Sequence, residues 1–140
     1  MSDKELLYQS IAWAAEREPV ITRRFYEILF ERYPVVKPLF GRNSGDAQAR
    51  MLQDAIVAAL DHIEDGQWLS DTLGAIGVKH LTYGVTDEMY PWVGECLIAT
   101  LAEHCGDRWT PEHQAAWGNV YGALTDLALA GANRARAAQA

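Results

Sequence analysis

Gly-Val-Lys-His-Leu-Thr-Tyr-Gly-Val-Thr-Asp-Glu-Met-Tyr-Pro, residues 77–91, sets a histidine into an otherwise apolar pattern. Leu69, Leu73, Ile76, His80 and Tyr83 follow at steps of four, three, four and three, which on a helix makes one apolar stripe interrupted by an imidazole. Gly84 closes that helix, because a residue without Cβ takes the left-handed conformation cheaply. Thr86 is expected to open the next, its hydroxyl accepting an orphan backbone N–H, with Asp87 and Glu88 in the positive first turn. His80 is thus expected near the end of a helix, pointing inward. Two readings are open at this point: a core histidine bonded to a backbone carbonyl, the simpler one, and a ligand-binding imidazole.

Upstream, Ser2 and Glu5 form a capping box for a first helix whose Leu7, Ile11 and Ala14 repeat at helical spacing to about Arg17. Pro19 is expected to open a second, with Phe25, Tyr26, Leu29 and Phe30 as a wide aromatic face. Pro34 and Pro38 limit the next segment to a turn or two of tight helix, which puts Phe40 at a corner before the Gly41 to Gly45 loop. Ser44 can cap a third helix with inward positions Gln48, Leu52, Ala55, Ala59 and Ile63. From that helix alone, Gln48 is more simply an exposed first-turn residue. Asp65-Gly66 turns the chain into the histidine helix. Downstream, Tyr90, Val93, Leu97 and Leu101 mark a helix ending near Gly106. Thr110-Pro111-Glu112 starts the last helix, along which Trp117, Val120, Tyr121, Leu124 and Ala128 face the core. Gly118 and Gly122 would let another backbone approach, and residues 133–140 are expected to fray. No strand-like alternation competes with this all-α reading.

With 140 residues the chain has the length of one domain, 1–140, enough for a single core. A net charge of -7 argues against nucleic acid or an anionic membrane as partner, and no apolar run reaches the 18 or so residues that span a bilayer. The start Met-Ser-Asp-Lys lacks the pattern of a signal peptide, so a reducing, cytoplasmic compartment is expected. On one helix, Cys96 and Cys105 are about 13.5 Å apart in rise, too far for a disulfide. His62, His104 and His113 fall near helix ends and are read as surface residues.

The chain resembles the single-domain bacterial globins related to flavohaemoglobin haem domains. The resemblance runs over essentially the whole sequence and rests on Phe25 to Pro34, Pro38 to Phe40, Val78 to Val85, Tyr90 to Glu95 and Ala116 to Gly122, in order and correctly separated. It implies a globin fold, a haem b cofactor and His80 as the iron ligand, which favours the second reading of that residue. It further implies Tyr26 and Gln48 as the polar pair above the iron, Leu52 as the aliphatic residue beside them, and Phe40 as the aromatic wedged against the porphyrin. Tyr90 falls at the position of a proximal tyrosine, and Ile76, Lys79, Val85 and Val93 at haem-edge positions. One departure stands out. Where many relatives carry a glutamate on the last helix, eleven residues after the position of Tyr121, this chain has Ala132. A less anionic His80, weaker peroxidase-like O–O cleavage and a Tyr90 without that acid partner are the expectations that follow. Asp126, nearly two turns earlier, is expected to face solvent.

The resemblance implies reversible O2 binding for storage, delivery or scavenging, with NO and CO as further ligands. With glutamine at 48, and His62 about 21 Å further along the helix, no second histidine is expected to close the iron's other side. Nitric oxide dioxygenation is the enzymatic alternative. It needs electrons from a separate reductase, since no Gly-x-Gly-x-x-Gly after a strand is present to hold a flavin or nicotinamide. Haem-based gas sensing, which would call for an output domain, is the third reading. A monomer and a homodimer are equally compatible with the sequence.

Overall fold

The structure, a computed structural model, describes residues 1–40 and 45–139. The Ser44 cap, most of the Gly41 to Gly45 loop and Ala140 lie outside the described residues. Six α-helices make up the described chain: α1 (Asp3–Arg17), α2 (Thr22–Arg32), α3 (Asp46–Asp61), α4 (Gly66–Thr82), α5 (Met89–Cys105) and α6 (Pro111–Gln139). Two short 3-10 segments, Pro34–Phe40 and Gly106–Arg108, lie between them, and no strand occurs among the described residues.

Helix ends follow local chemistry where the caps are local. The Ser2 hydroxyl accepts the Glu5 N–H at 3.2 Å, and the Asp65 carboxylate accepts that of Trp68 at 3.0 Å. Gly84 has φ +90°; the Val85 N–H returns to the His80 carbonyl at 2.9 Å and the Gly84 N–H to that of Leu81 at 3.2 Å, a Schellman closure. His80 therefore sits in the last turn with its own carbonyl tied down.

Two starts differ from expectation. α2 begins at Thr22 rather than Pro19, because Gln53 of α3 brackets the corner: its Oε1 accepts the Ile21 N–H at 2.8 Å and its Nε2 donates to the Pro19 carbonyl at 2.9 Å. α5 begins at Met89 rather than after Thr86, whose backbone carbonyl, not its hydroxyl, accepts the Met89 N–H at 3.1 Å. The carboxyl end of α6 also differs. Residues 133–139 continue the helix instead of fraying, with Arg136 bonded to Asp87 at 3.1 Å and to Asn133 at 2.7 Å.

The core gathers Leu6, Leu7, Ala14, Phe25, Leu29, Leu60, Leu97, Leu101 and Trp117. Where α1, α5 and α6 meet, Ser10 is fully buried yet satisfied: its hydroxyl donates to Leu7 O and accepts from Trp117 Nε1, both at 2.8 Å. The Thr22 hydroxyl donates to the Ala49 carbonyl and draws α2 onto α3. On α3, Ala49, Ala59 and Leu60 are buried, Gln48, Leu52 and Ile56 half-buried, and Ala55 exposed, so part of the expected stripe faces out.

α4 packs chiefly on α6 through glycines other than those expected. A Cβ at Gly77 would lie 1.9 Å from the Ala128 carbonyl oxygen, and one at Gly131 would lie 2.3 Å from that of Gly74. Gly118 and Gly122 have nothing within 4 Å of an added Cβ, because they fall on the outward side of α6. Tyr83 ends the α4 stripe exposed, at 62%. The histidines expected at the surface also differ. His113 is 3% exposed, bonded to Thr110 and Gln9 and set beside Trp13 and Trp109. His62 is half-buried against Trp68, and His104 is half-buried with Nε2 lacking a partner among the described residues. Both cysteines are free and buried.

Candidate functional site

The residues singled out in the sequence fall into two groups in the structure, joined by the packing of α5 on α2. α4 rests on α6 while α3 rests on α2 and α1, and α3 and α4 are not among the packed helix pairs.

On α4 and α5, His80 is half-buried, and burial pushes its pKa below the usual histidine value, so the neutral imidazole is favoured near pH 7. Its Nδ1 lies 3.2 Å from the Tyr90 hydroxyl. Among the described residues no hydrogen bond engages Nε2. A neutral imidazole with Nδ1–H donated to Tyr90 keeps the Nε2 lone pair available, the donor chemistry that a haem iron takes. The Tyr121 hydroxyl donates to the Tyr90 carbonyl at 2.6 Å, and its ring fills the space left by Gly94, where a Cβ would meet it at 2.6 Å. Burial, then the Asp87 carboxylate, raises the Tyr90 pKa, while Arg136 lowers it. Ala132 is 3% exposed, so no acid enters from that position of α6, and Asp126 is exposed as expected. Ile76, Val85 and Val93 are half-buried and Lys79 is exposed.

On α2, the first 3-10 segment and α3, Tyr26 is 6% exposed and its pKa is raised by burial, so the hydroxyl keeps its proton. Gln48 is half-buried rather than exposed, and its Nε2 donates to Tyr26 Oη at 3.3 Å. Phe40 stands edge-on to Tyr26 at 5.4 Å and to Phe30 at 5.5 Å between ring centroids. Leu52 is half-buried against the hydrophobic core to which Tyr26 belongs. The structure thus pairs Tyr26 with Gln48 and Phe40, and His80 with Tyr90. The contribution of Phe30 and the link from Arg136 to Asp87 were not foreseen. The alanine and arginine content of residues 133–139, favourable to helix, was the signal that could have located Arg136.

Two shallow clefts lie elsewhere. One, about 340 Å³, is lined by residues including Glu18, Arg23, Arg50 and Asp54; the other, about 400 Å³, follows the seam of α4 and α6 beside Arg134. Arg23 in the first is already paired with Asp46 and Glu18.

The all-helical order α1 to α6 is the architecture of a globin domain. The globin family profile matches residues 23–127, and the chain belongs to the globin family. Haem binding is the coarse function that this membership carries. The chain is 39% identical over 116 residues to a flavohaemoprotein of Rhodopirellula baltica, covering 81% of this chain and 28% of that protein. It is 35% identical over 130 residues to a flavohaemoprotein of Rhizobium meliloti, covering 91% and 32%. It therefore spans about a third of the length of these relatives. Among solved structures, it superposes with TM-score 0.83 and 26% identity on an engineered carbene transferase derived from a candidate nitric oxide dioxygenase of Rhodothermus marinus, covering 98% of this chain and 95% of that one. A bacterial globin of Campylobacter jejuni, 24% identical and covered to 96% on both sides with TM-score 0.80, shares the fold. No described helix is long and apolar enough to cross a membrane.

Proposed function

We propose that this globin binds O2 reversibly on haem b, with His80 as the iron ligand and Tyr26 and Gln48 as the groups that hold the gas. The observation that carries this reading is the Gln48 Nε2 donation to Tyr26 Oη at 3.3 Å. Since the tyrosine oxygen accepts the amide proton, its own O–H is left to donate elsewhere, and burial keeps that proton on. Haem, when bound, would supply an iron able to take the His80 imidazole and a diatomic gas. A hydroxyl donor facing a gas that has gained negative charge contributes about 1.5–3 kcal/mol, roughly ten- to a hundred-fold in affinity. CO gains less from the same donor. Phe40, Leu52, Ile76, Val85 and Val93 would supply apolar walls that exclude water, and Lys79 would meet the solvent edge. On the histidine side, a neutral tyrosine oxygen in place of an acid leaves His80 less anionic. That favours holding a gas over cleaving an O–O bond.

Nitric oxide dioxygenation is the second reading, favoured by the likeness to flavohaemoproteins and to the R. marinus protein. Its balance, NO plus O2 plus one electron giving nitrate, demands an electron donor such as a separate reductase. An intense Soret band after haem addition, lost in His80→Ala, and O2 uptake reversed by argon are expected. Retention of an unaltered spectrum by His80→Ala would refute the ligand assignment. Adding NO to the oxygenated protein with a reductase separates the readings: nitrate limited to one equivalent per haem supports binding, and sustained turnover supports the enzyme.

A further inference from the structure

We propose that the Asp87–Arg136 ion pair, from outside the site, positions the Tyr90 hydroxyl on His80. The proposal rests on the reading of His80 as a haem ligand. Arg136 stands one turn beyond Ala132 on α6, and its guanidinium is fixed from two sides, to Asp87 Oδ1 at 3.1 Å and to Asn133 Oδ1 at 2.7 Å. The Asp87 carbonyl accepts the Tyr90 N–H at 3.3 Å, while Tyr121, also from α6, holds the Tyr90 carbonyl at 2.6 Å. α6 thus holds the turn before α5 through Asp87 and α5 itself through Tyr90, whose hydroxyl ends 3.2 Å from His80 Nδ1.

The charge of the pair matters as well as its grip. For Nε2 to offer a lone pair, Nδ1 must carry the proton, so Tyr90 Oη must accept it and turn its own proton away. In this proposal the negative charge of Asp87, on the turn before Tyr90, would draw that hydroxyl proton to its side and leave the oxygen lone pairs toward His80. The Arg136 cation keeps the carboxylate in place. Without Asp87, the hydroxyl is freer to turn and carry its lone pairs off the Nδ1–H, which weakens that hydrogen bond and makes Nε2 a less basic donor.

The test uses the whole haem-loaded chain. In the ferrous protein, Asp87→Asn is expected to lower the iron–histidine stretching frequency in resonance Raman spectra and raise the reduction potential, each by a fraction of the change caused by Tyr90→Phe. Asp87→Glu, which keeps a carboxylate, should return both toward wild type. In a Tyr90→Phe background Asp87→Asn should change neither, because the group through which it acts is gone. Both charged side chains are well exposed, at 56% and 39%, so these variants leave the core filled. A silent Asp87→Asn, or a shift that persists with Tyr90→Phe, overturns the proposal while a His80-dependent Soret band leaves the haem reading standing. Loss of that dependence overturns both.

Discussion

Replacing Gly77 by alanine tests the packing that holds the histidine helix. The added Cβ would stand 1.9 Å from the Ala128 carbonyl oxygen and 2.7 Å from its carbonyl carbon. Both are backbone atoms on α6, so no rotamer change relieves the clash. Real Cβ atoms essentially never approach within 3.0 Å, and α4 must shift by more than an ångström. Overpacking of this kind costs about 1–3 kcal/mol, against at most ~1 kcal/mol recovered from the better helix propensity of alanine. Gly118→Ala is the matched control: it lies on the same long α6, exposed, with nothing within 4 Å. There only the propensity term acts, a gain of about 0.5–1 kcal/mol. Thermal unfolding followed by circular dichroism should therefore move in opposite directions, at roughly 3–5 °C per kcal/mol for a chain of this size. Because His80 lies three residues from Gly77, haem retention should fall with Gly77→Ala and not with Gly118→Ala. A Gly77→Ala protein as stable as wild type would refute the close α4–α6 contact.

Tyr26→Phe should speed O2 dissociation, measured by stopped-flow displacement with CO, by about ten- to a hundred-fold, the loss of one donor worth about 1.5–3 kcal/mol. Cys96 is fully buried and its thiol is pushed up to about 11, chiefly by burial, so about one thiol in 10⁴ is thiolate at pH 7. Native protein should react negligibly with Ellman's reagent, and both thiols should titrate once it is unfolded. Asp46, Glu95, Glu103 and Glu112 have pKa values held below the ordinary 3.8 and 4.5, by Arg23, by Tyr33 and Arg32, by Arg24, and by the start of α6 with Thr110, respectively. The folded state binds these protons less tightly than the unfolded chain, so their stabilisation is present above about pH 4.5 and lost as pH falls through the folded values. Urea midpoints should drop through that window, and less steeply in high salt because the groups are exposed.

Helix content and order were legible because apolar spacing and caps act within a few residues, as at Ser2, Asp65 and Gly84. His80 was legible as an inward histidine on its stripe but not as a ligand, since spacing alone does not separate a ligand from a core histidine. The resemblance, not the periodicity, brought Tyr26, Phe40, Gln48 and Tyr90 into consideration. Errors fell where a distant residue overrides a local signal. Pro19 does not open α2 because Gln53 takes its carbonyl and the Ile21 N–H, while Glu18 takes the Val20 N–H. His113 looked peripheral beside a helix start, yet Trp13 and Gln9 from α1 cover it.

By itself the sequence determined an all-helical chain, its turns, and a histidine facing inward near a helix end, because propensity, capping and amphipathic period are local properties of the backbone. Tertiary structure decided which glycines carry the α4–α6 contact and that residues 133–139 remain helical. It also decided that His80 Nδ1 meets a tyrosine rather than an acid. Those outcomes depend on which faces of two helices meet, and that is set by packing between residues far apart in the chain.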